Sequence, residues 1–145
     1  MLNGCFTNTV DAKGRVIIPT KLRYGLGERI WLAMGIDKCL YIFTQDSWAD
    51  YRSKYISNRS LTDINARKLQ RLTVGHAHEL EIDRQGRINL PQFLIEYARI
   101  DKDVVFLGCE DRIEVWSAAS YEKDMAEDLD LDKLMRSAAE AAGED

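Results

Sequence analysis

Apolar and polar residues alternate over two short stretches, Arg15-Val16-Ile17-Ile18 and Arg87-Ile88-Asn89-Leu90. A period of two predicts half-buried strands with Val16, Ile18, Ile88 and Leu90 facing inward and the arginines on the polar side. Ile17 interrupts that polar side in the first stretch. Each stretch follows an Asp-x-x-Gly segment, Asp11 to Gly14 and Asp83 to Gly86. Asp suits the first position of a tight turn and Gly the fourth, so both segments predict hairpin tips. A proline closes each stretch, Pro19 and Pro91, and suits the first turn of a helix because its missing N–H costs little there. Short helices are predicted from Pro19 to Gly25 and from Pro91 to Ala98, with Leu22 and Leu94 buried.

The same order continues downstream of each copy. Arg29 to Met34 and Cys39 to Phe43 are apolar runs separated by turn residues, and Val104 to Leu107 and Arg112 to Trp116 repeat them. The spacing between matched tips differs by one residue from that between matched hairpins, a trivial change for a loop. The chain thus reads as a duplication of a β-β-α-β-β unit of about 45 residues, too small to bury a stable core alone. The two copies are expected to share one core. Between them, Gln45 to Ile56 has helical spacing, with Asp46 or Ser47 as cap and Trp48, Tyr51, Tyr55 and Ile56 on one side. A second helix is predicted from Leu61 to Val74, capped by Thr62 or Asp63, with Ile64, Leu69 and Leu72 apolar and Arg67, Lys68 and Arg71 opposite. A C-terminal helix is predicted from Ser120 to Ala142, with Tyr121, Met125, Leu129 and Leu134 as a stripe and a frayed far end. The expected organisation is a first unit over 1–48, connecting helices over 49–75, a second unit over 76–121 and an acidic helix and tail over 122–145.

Composition adds a charge asymmetry. The net charge is −4, yet 12 basic residues face 6 acidic ones up to Gly75, and 8 face 18 after it. A basic half beside an acidic half suggests a polyanion-binding face with a counterweight. No apolar run approaches the roughly 18 residues a membrane helix needs, so no membrane partner is expected. The N-terminal residues lack a basic segment followed by an apolar core, and a cytoplasmic protein is expected. Cys5, Cys39 and Cys109 are odd in number and far apart, which suggests neither a disulfide framework nor a zinc site.

Candidate chemistry is sparse. His76 and His78 have a spacing that can bind metal, but no third ligand is near, and a loop and strand-start pair is the expected role. No nucleophile motif or Gly-rich phosphate loop is present, so no enzyme, no metal and no cofactor are expected. The Asp11/Arg15 and Asp83/Arg87 pairs lie close enough to join across their tips, and Lys13, Arg15, Lys21 and Arg23 gather in the first tip and its helix.

A strand, D-x-x-G-R, an apolar strand, I-P or L-P and a short helix together resemble the AbrB/SpoVT swapped-hairpin unit, a DNA-binding fold of bacterial regulators. Two such units in one chain, with Leu69-Gln70-Arg71-Leu72 through Val74-Gly75-His76-Ala77 between them, resemble the MraZ family from Met1 to about Asp128. The resemblance implies an α+β, mostly β fold: a tandem swapped-hairpin barrel folded as a pseudo-dimer, with connecting and C-terminal helices. It also implies a nucleoid-associated transcriptional regulator of the bacterial division and cell-wall gene cluster. Such a regulator binds short direct repeats in its own promoter as a ring-shaped homo-oligomer. DNA contact falls to the first motif, matched here by Asp11 and Arg15. Arg15 is expected to read guanine edges or clamp phosphate, and Lys13, Lys21 and Arg23 to contact phosphates. Asp11, Gly14, Pro19, Asp83, Gly86, Arg87 and Pro91 are expected to shape the two tips. The alternative is an oligomeric protein-interaction scaffold in which the Asp/Arg pairs are purely structural.

Overall fold

The computed structural model describes residues 1–127 and 129–143. Eight strands are found among them: β1 (Leu2–Thr9), β2 (Arg15–Ile17), β3 (Arg29–Met34), β4 (Leu40–Phe43), β5 (His78–Glu81), β6 (Arg87–Asn89), β7 (Asp103–Glu110) and β8 (Ile113–Ser117). The helices are α1 (Thr20–Arg23), α2 (Gln45–Tyr51), α3 (Ile64–Thr73), α4 (Gln92–Tyr97), α5 (Ala118–Met125) and α6 (Leu131–Ala141). The fold is α+β, built mainly on antiparallel strands.

Pairing crosses between the halves. A six-stranded antiparallel sheet runs β1-β7-β8-β4-β3-β5, and β2 and β6 form a separate two-stranded ribbon. Exchanging each strand of one half for its counterpart in the other leaves the order unchanged. β1 pairs with β7 from Leu2↔Glu110 to Thr9↔Asp103, and β5 pairs with β3 from Glu81↔Arg29 to His78↔Leu32. The ribbon is centred on Val16↔Ile88, both buried. The tips close as expected, with Asp11 N donating to Arg15 O and Asp83 N to Arg87 O, but the strands flanking each tip then part and pair elsewhere. The expected closed barrel is absent among the described residues. β1 and β5 remain the two edges of the large sheet, because three-residue strands beyond each tip are too short to bridge them.

The central strands explain the unbroken apolar runs. One face of the sheet packs on the ribbon through Val16, Ile18, Leu22, Ile88, Leu90, Leu94, Leu32 and Phe106. The other face carries Ala33, Tyr41, Phe43, Val105 and Trp116 against Trp48. β4 and β8 are therefore buried on both sides, so alternation disappears. Glu114 is the buried carboxylate of β8; Arg112 donates to its Oε2 at 2.7 and 3.0 Å and Trp116 Nε1 to its Oε1 at 3.0 Å.

Several element boundaries differ from expectation. Thr44, not Asp46 or Ser47, caps α2: its hydroxyl accepts from Ser47 N at 3.0 Å while Ser47 Oγ accepts from Thr44 N at 2.9 Å. The helix then widens into a π-helical turn over Arg52–Ile56. Asp63 caps α3 by accepting from Asn65 N. Ala66 and Thr73 face the body, and Ile64 lies exposed beside Lys68 and Arg71 rather than on a buried stripe. Pro19 and Pro91 sit one position before their helices, with extended ψ angles of 134° and 143°. The C-terminal helix is two helices, because Asp130 caps a new one by accepting from Lys133 N. Only Tyr121 of the expected stripe packs, against Trp116; Met125, Leu129 and Leu134 are exposed. Asp128, Glu144 and Asp145, in the stretch where fraying is expected, lie outside the described residues.

Candidate nucleic-acid interface

The two tips are built alike. Asp11 Oδ1 accepts from the N–H groups of Lys13 and Arg15, each at 2.9 Å, and Oδ2 takes Arg15 Nε at 2.8 Å. Asp83 Oδ1 accepts from Gln85 N and Arg87 N at 2.9 and 2.8 Å, and Oδ2 takes Arg87 Nε at 2.8 Å. Both carboxyls are held below the usual range, chiefly by the backbone N–H of Arg15 or Arg87 bonding the ionised form. Gly14 and Gly86 close the turns at φ +82°, the left-handed region that favours glycine.

Each Asp uses only the Nε side of its arginine. Among the described residues, neither Nη of Arg15 or Arg87 has a partner, so each guanidinium is aimed while its outer edge is unspent. A carboxylate partner on one edge also fixes the rotamer in advance, which lowers the ordering cost of a later contact. The register opposes Arg15 to Asn89 and Ile17 to Arg87, while Val16 and Ile88 turn inward. Directly opposed residues share a face, so both arginines stand on the outer face of one ribbon, about 7–8 Å apart as diagonal neighbours. A two-stranded ribbon fits the DNA major groove, where an arginine fork can meet guanine O6 and N7.

The cations expected together at the first tip are divided. Ile18 N donates to Gly86 O at 2.9 Å and Leu90 N to Gly14 O at 2.8 Å, so each tip leans on the other half. A Cβ at Gly86 would collide with the Arg23 guanidinium, which places Arg23 over the second tip. There Arg23 lines a cleft with Asp83 and Arg84, and its Nη2 donates to Thr20 Oγ1 at 3.1 Å. Lys21 is exposed on the same short helix. Lys13 stays at the first tip, in a cleft with Asp11, Gln92 and Asp101. Arg84 thus joins Arg23 in space beside Asp83, a grouping hidden from sequence because it depends on long-range exchange. The repeated Asp-x-x-Gly-Arg was its one available signal.

His76 precedes β5 and stacks on Phe93 with ring centres 4.2 Å apart, while His78 opens β5. No group of three or more His, Cys, Asp or Glu that could hold a metal occurs among the described residues. No helix among them is long and apolar enough to cross a membrane. Burial pushes the Cys39 thiol up to about 12, which suits an inert core residue.

The sequence model of the family described as "MraZ protein, putative antitoxin-like" matches twice, over residues 1–72 and 73–143. The chain belongs to the MraZ family. A relative named "Transcriptional regulator MraZ" from Caldanaerobacter subterraneus subsp. tengcongensis is 43% identical over 123 residues, covering 85% of each chain. A protein of the same name from Thermoanaerobacter pseudethanolicus is 44% identical over 123 residues, again 85% of each. One from Desulforamulus reducens is 39% identical over 123 residues, 85% of this chain and 86% of the relative.

Proposed function

We propose that this chain is a sequence-specific, non-enzymatic transcriptional regulator that binds double-stranded promoter DNA through the outer face of the β2–β6 ribbon. The carrying observation is the pair of aimed guanidiniums, Arg15 and Arg87, each tethered through Nε with its Nη edge unspent. Strand pairing that crosses between the halves supports the swapped-hairpin pseudo-dimer reading. The regulator names of the relatives support a DNA partner.

The finer reading places it in the cytoplasm at the nucleoid, acting on the division and cell-wall gene cluster. Protomers close into a ring, and successive tips meet short direct repeats in the chain's own promoter. Arg15 makes the primary base or phosphate contact, and Lys13, Lys21 and Arg23 contact phosphates. One ribbon binds weakly, and linkage of several raises the effective concentration, so avidity supplies the affinity. Arg15→Ala should abolish the specific gel shift of a repeat-containing promoter fragment at physiological salt, and Arg15→Lys should weaken it by losing the planar fork. Unchanged binding by Arg15→Ala would overturn the reading.

A further inference from the structure

The outer face of the ribbon carries four side chains. The register sets Arg15 opposite Asn89 and Ile17 opposite Arg87, while Val16 and Ile88 turn inward. Three of the four have an evident place there. Arg15 and Arg87 are held through Nε by Asp11 and Asp83, each at 2.8 Å. Asn89 leans on the first tip, where a Cβ at Gly14 would meet its Oδ1 at 3.3 Å. Ile17 belongs to neither apolar cluster and stands 44% exposed beside the two arginines. The duplication sharpens the contrast. Arg15 matches Arg87, but the position matching Ile17 in the second half is Asn89. The halves thus present the same arginine and differ at the next outward residue, a branched alkyl group against an amide.

Ile17 is also held in place. Asn8 Nδ2 donates to its carbonyl oxygen at 2.7 Å, which ties the edge of β2 that β6 leaves open. Branching at Cβ stiffens χ1, so the alkyl group has little rotamer freedom to lose on contact. On the floor of the DNA major groove the apolar group on offer is the thymine 5-methyl, which aliphatic side chains meet. Side chains two apart on a strand stand about 7 Å from each other, the rise of two base steps.

We infer that Ile17 is a specificity-determining residue that packs on a thymine 5-methyl group about two base steps from the contact of Arg15. This rests on the reading that the outer face of the ribbon binds DNA. It adds that the two halves of the ribbon read different chemistry, a methyl through β2 and hydrogen-bonding edges through β6.

The test titrates the full-length chain against a duplex from its own promoter, followed by fluorescence anisotropy. A second duplex carries deoxyuridine for every thymidine, which removes the 5-methyl groups and keeps every base-pairing edge. The parent should bind the deoxyuridine duplex about fourfold more weakly, the worth of burying one such group. Ile17→Asn, which copies the second half, should bind the thymidine duplex as weakly as the parent binds the other and show no further loss on deoxyuridine. An unchanged thermal melt confirms its fold, and Ile17→Ser takes its place if the melt shifts. A parent that binds its promoter over random DNA but tolerates deoxyuridine overturns the inference and leaves DNA binding standing. A variant as sensitive to deoxyuridine as the parent also overturns it, because the methyl is then felt elsewhere. A variant that changes the native mass but not this sensitivity overturns it too, and assigns Ile17 to a contact between chains. A parent that does not distinguish its promoter from random DNA overturns the inference together with the reading it rests on.

Discussion

Asp11 and Asp83 each serve a turn and an arginine at once. Because the backbone N–H of Arg15 or Arg87 favours the ionised carboxylate, the folded chain releases these protons more readily than the unfolded chain. The stabilisation is therefore complete above the unfolded aspartate value of about 3.9 and is lost as pH falls through the lower folded value. The difference in urea midpoint between the parent chain and Asp11→Asn should be flat at neutral pH and shrink below about pH 4. A difference that stays constant through the acid range would contradict this. Arg23 shows what a single residue can conceal. Its charge is plain in the sequence, but its position over Gly86 depends on a turn 63 residues away in the chain having no side chain. Local reasoning assigns it to the first tip because nothing nearby in sequence says otherwise.

Among the elements, those whose pattern is local were legible and those settled by tertiary contacts were not. The two tips, the hairpins β3–β4 and β7–β8 and the short helices carrying Leu22 and Leu94 follow from turn chemistry and apolar period. The exposed stripe of α3 did not follow, since Ile64 and Leu72 look as core-seeking as Leu22 until the neighbouring surface is known. Caps fell between these cases. Thr44 lies just ahead of the two residues favoured for α2, and the reciprocal bonds with Ser47 decide in its favour. Thr44→Ala removes the hydroxyl acceptor and should cost about 1 kcal/mol, read from chemical denaturation. It should also loosen Trp48, which that helix presses against Phe43 with ring centres 5.4 Å apart. No loss of stability on substitution would show that the cap bonds contribute nothing net.

For the whole molecule, exchange between halves is the organising fact. β1, β2, β3 and β4 all take partners from the second half, so residues 1–75 alone lack a cross-half partner for each of their four strands. That fragment should fold only by pairing with a second copy or with residues 76–145, and its melting temperature should rise with concentration. A cooperative melt independent of concentration would show that a half is self-sufficient. Exchange was the least legible feature in the residues themselves, since no spacing distinguishes a strand that pairs with its neighbour from one that pairs across the chain. Duplication supplied the hint, because units this small must share a core.

In a dimer of identical chains, a two-fold axis would make both ends of the ribbon alike, and such a reader suits half-sites facing opposite ways. Fusing both copies into one chain lifts that constraint. Ala12 and Lys13 end one side of this ribbon, while Arg84 and Gln85, with Arg23 laid over Gly86, end the other. The ribbon has a head and a tail. In the proposed ring, a closed row of such ribbons would be a row of arrows with one sense, and the sites it read would all point the same way.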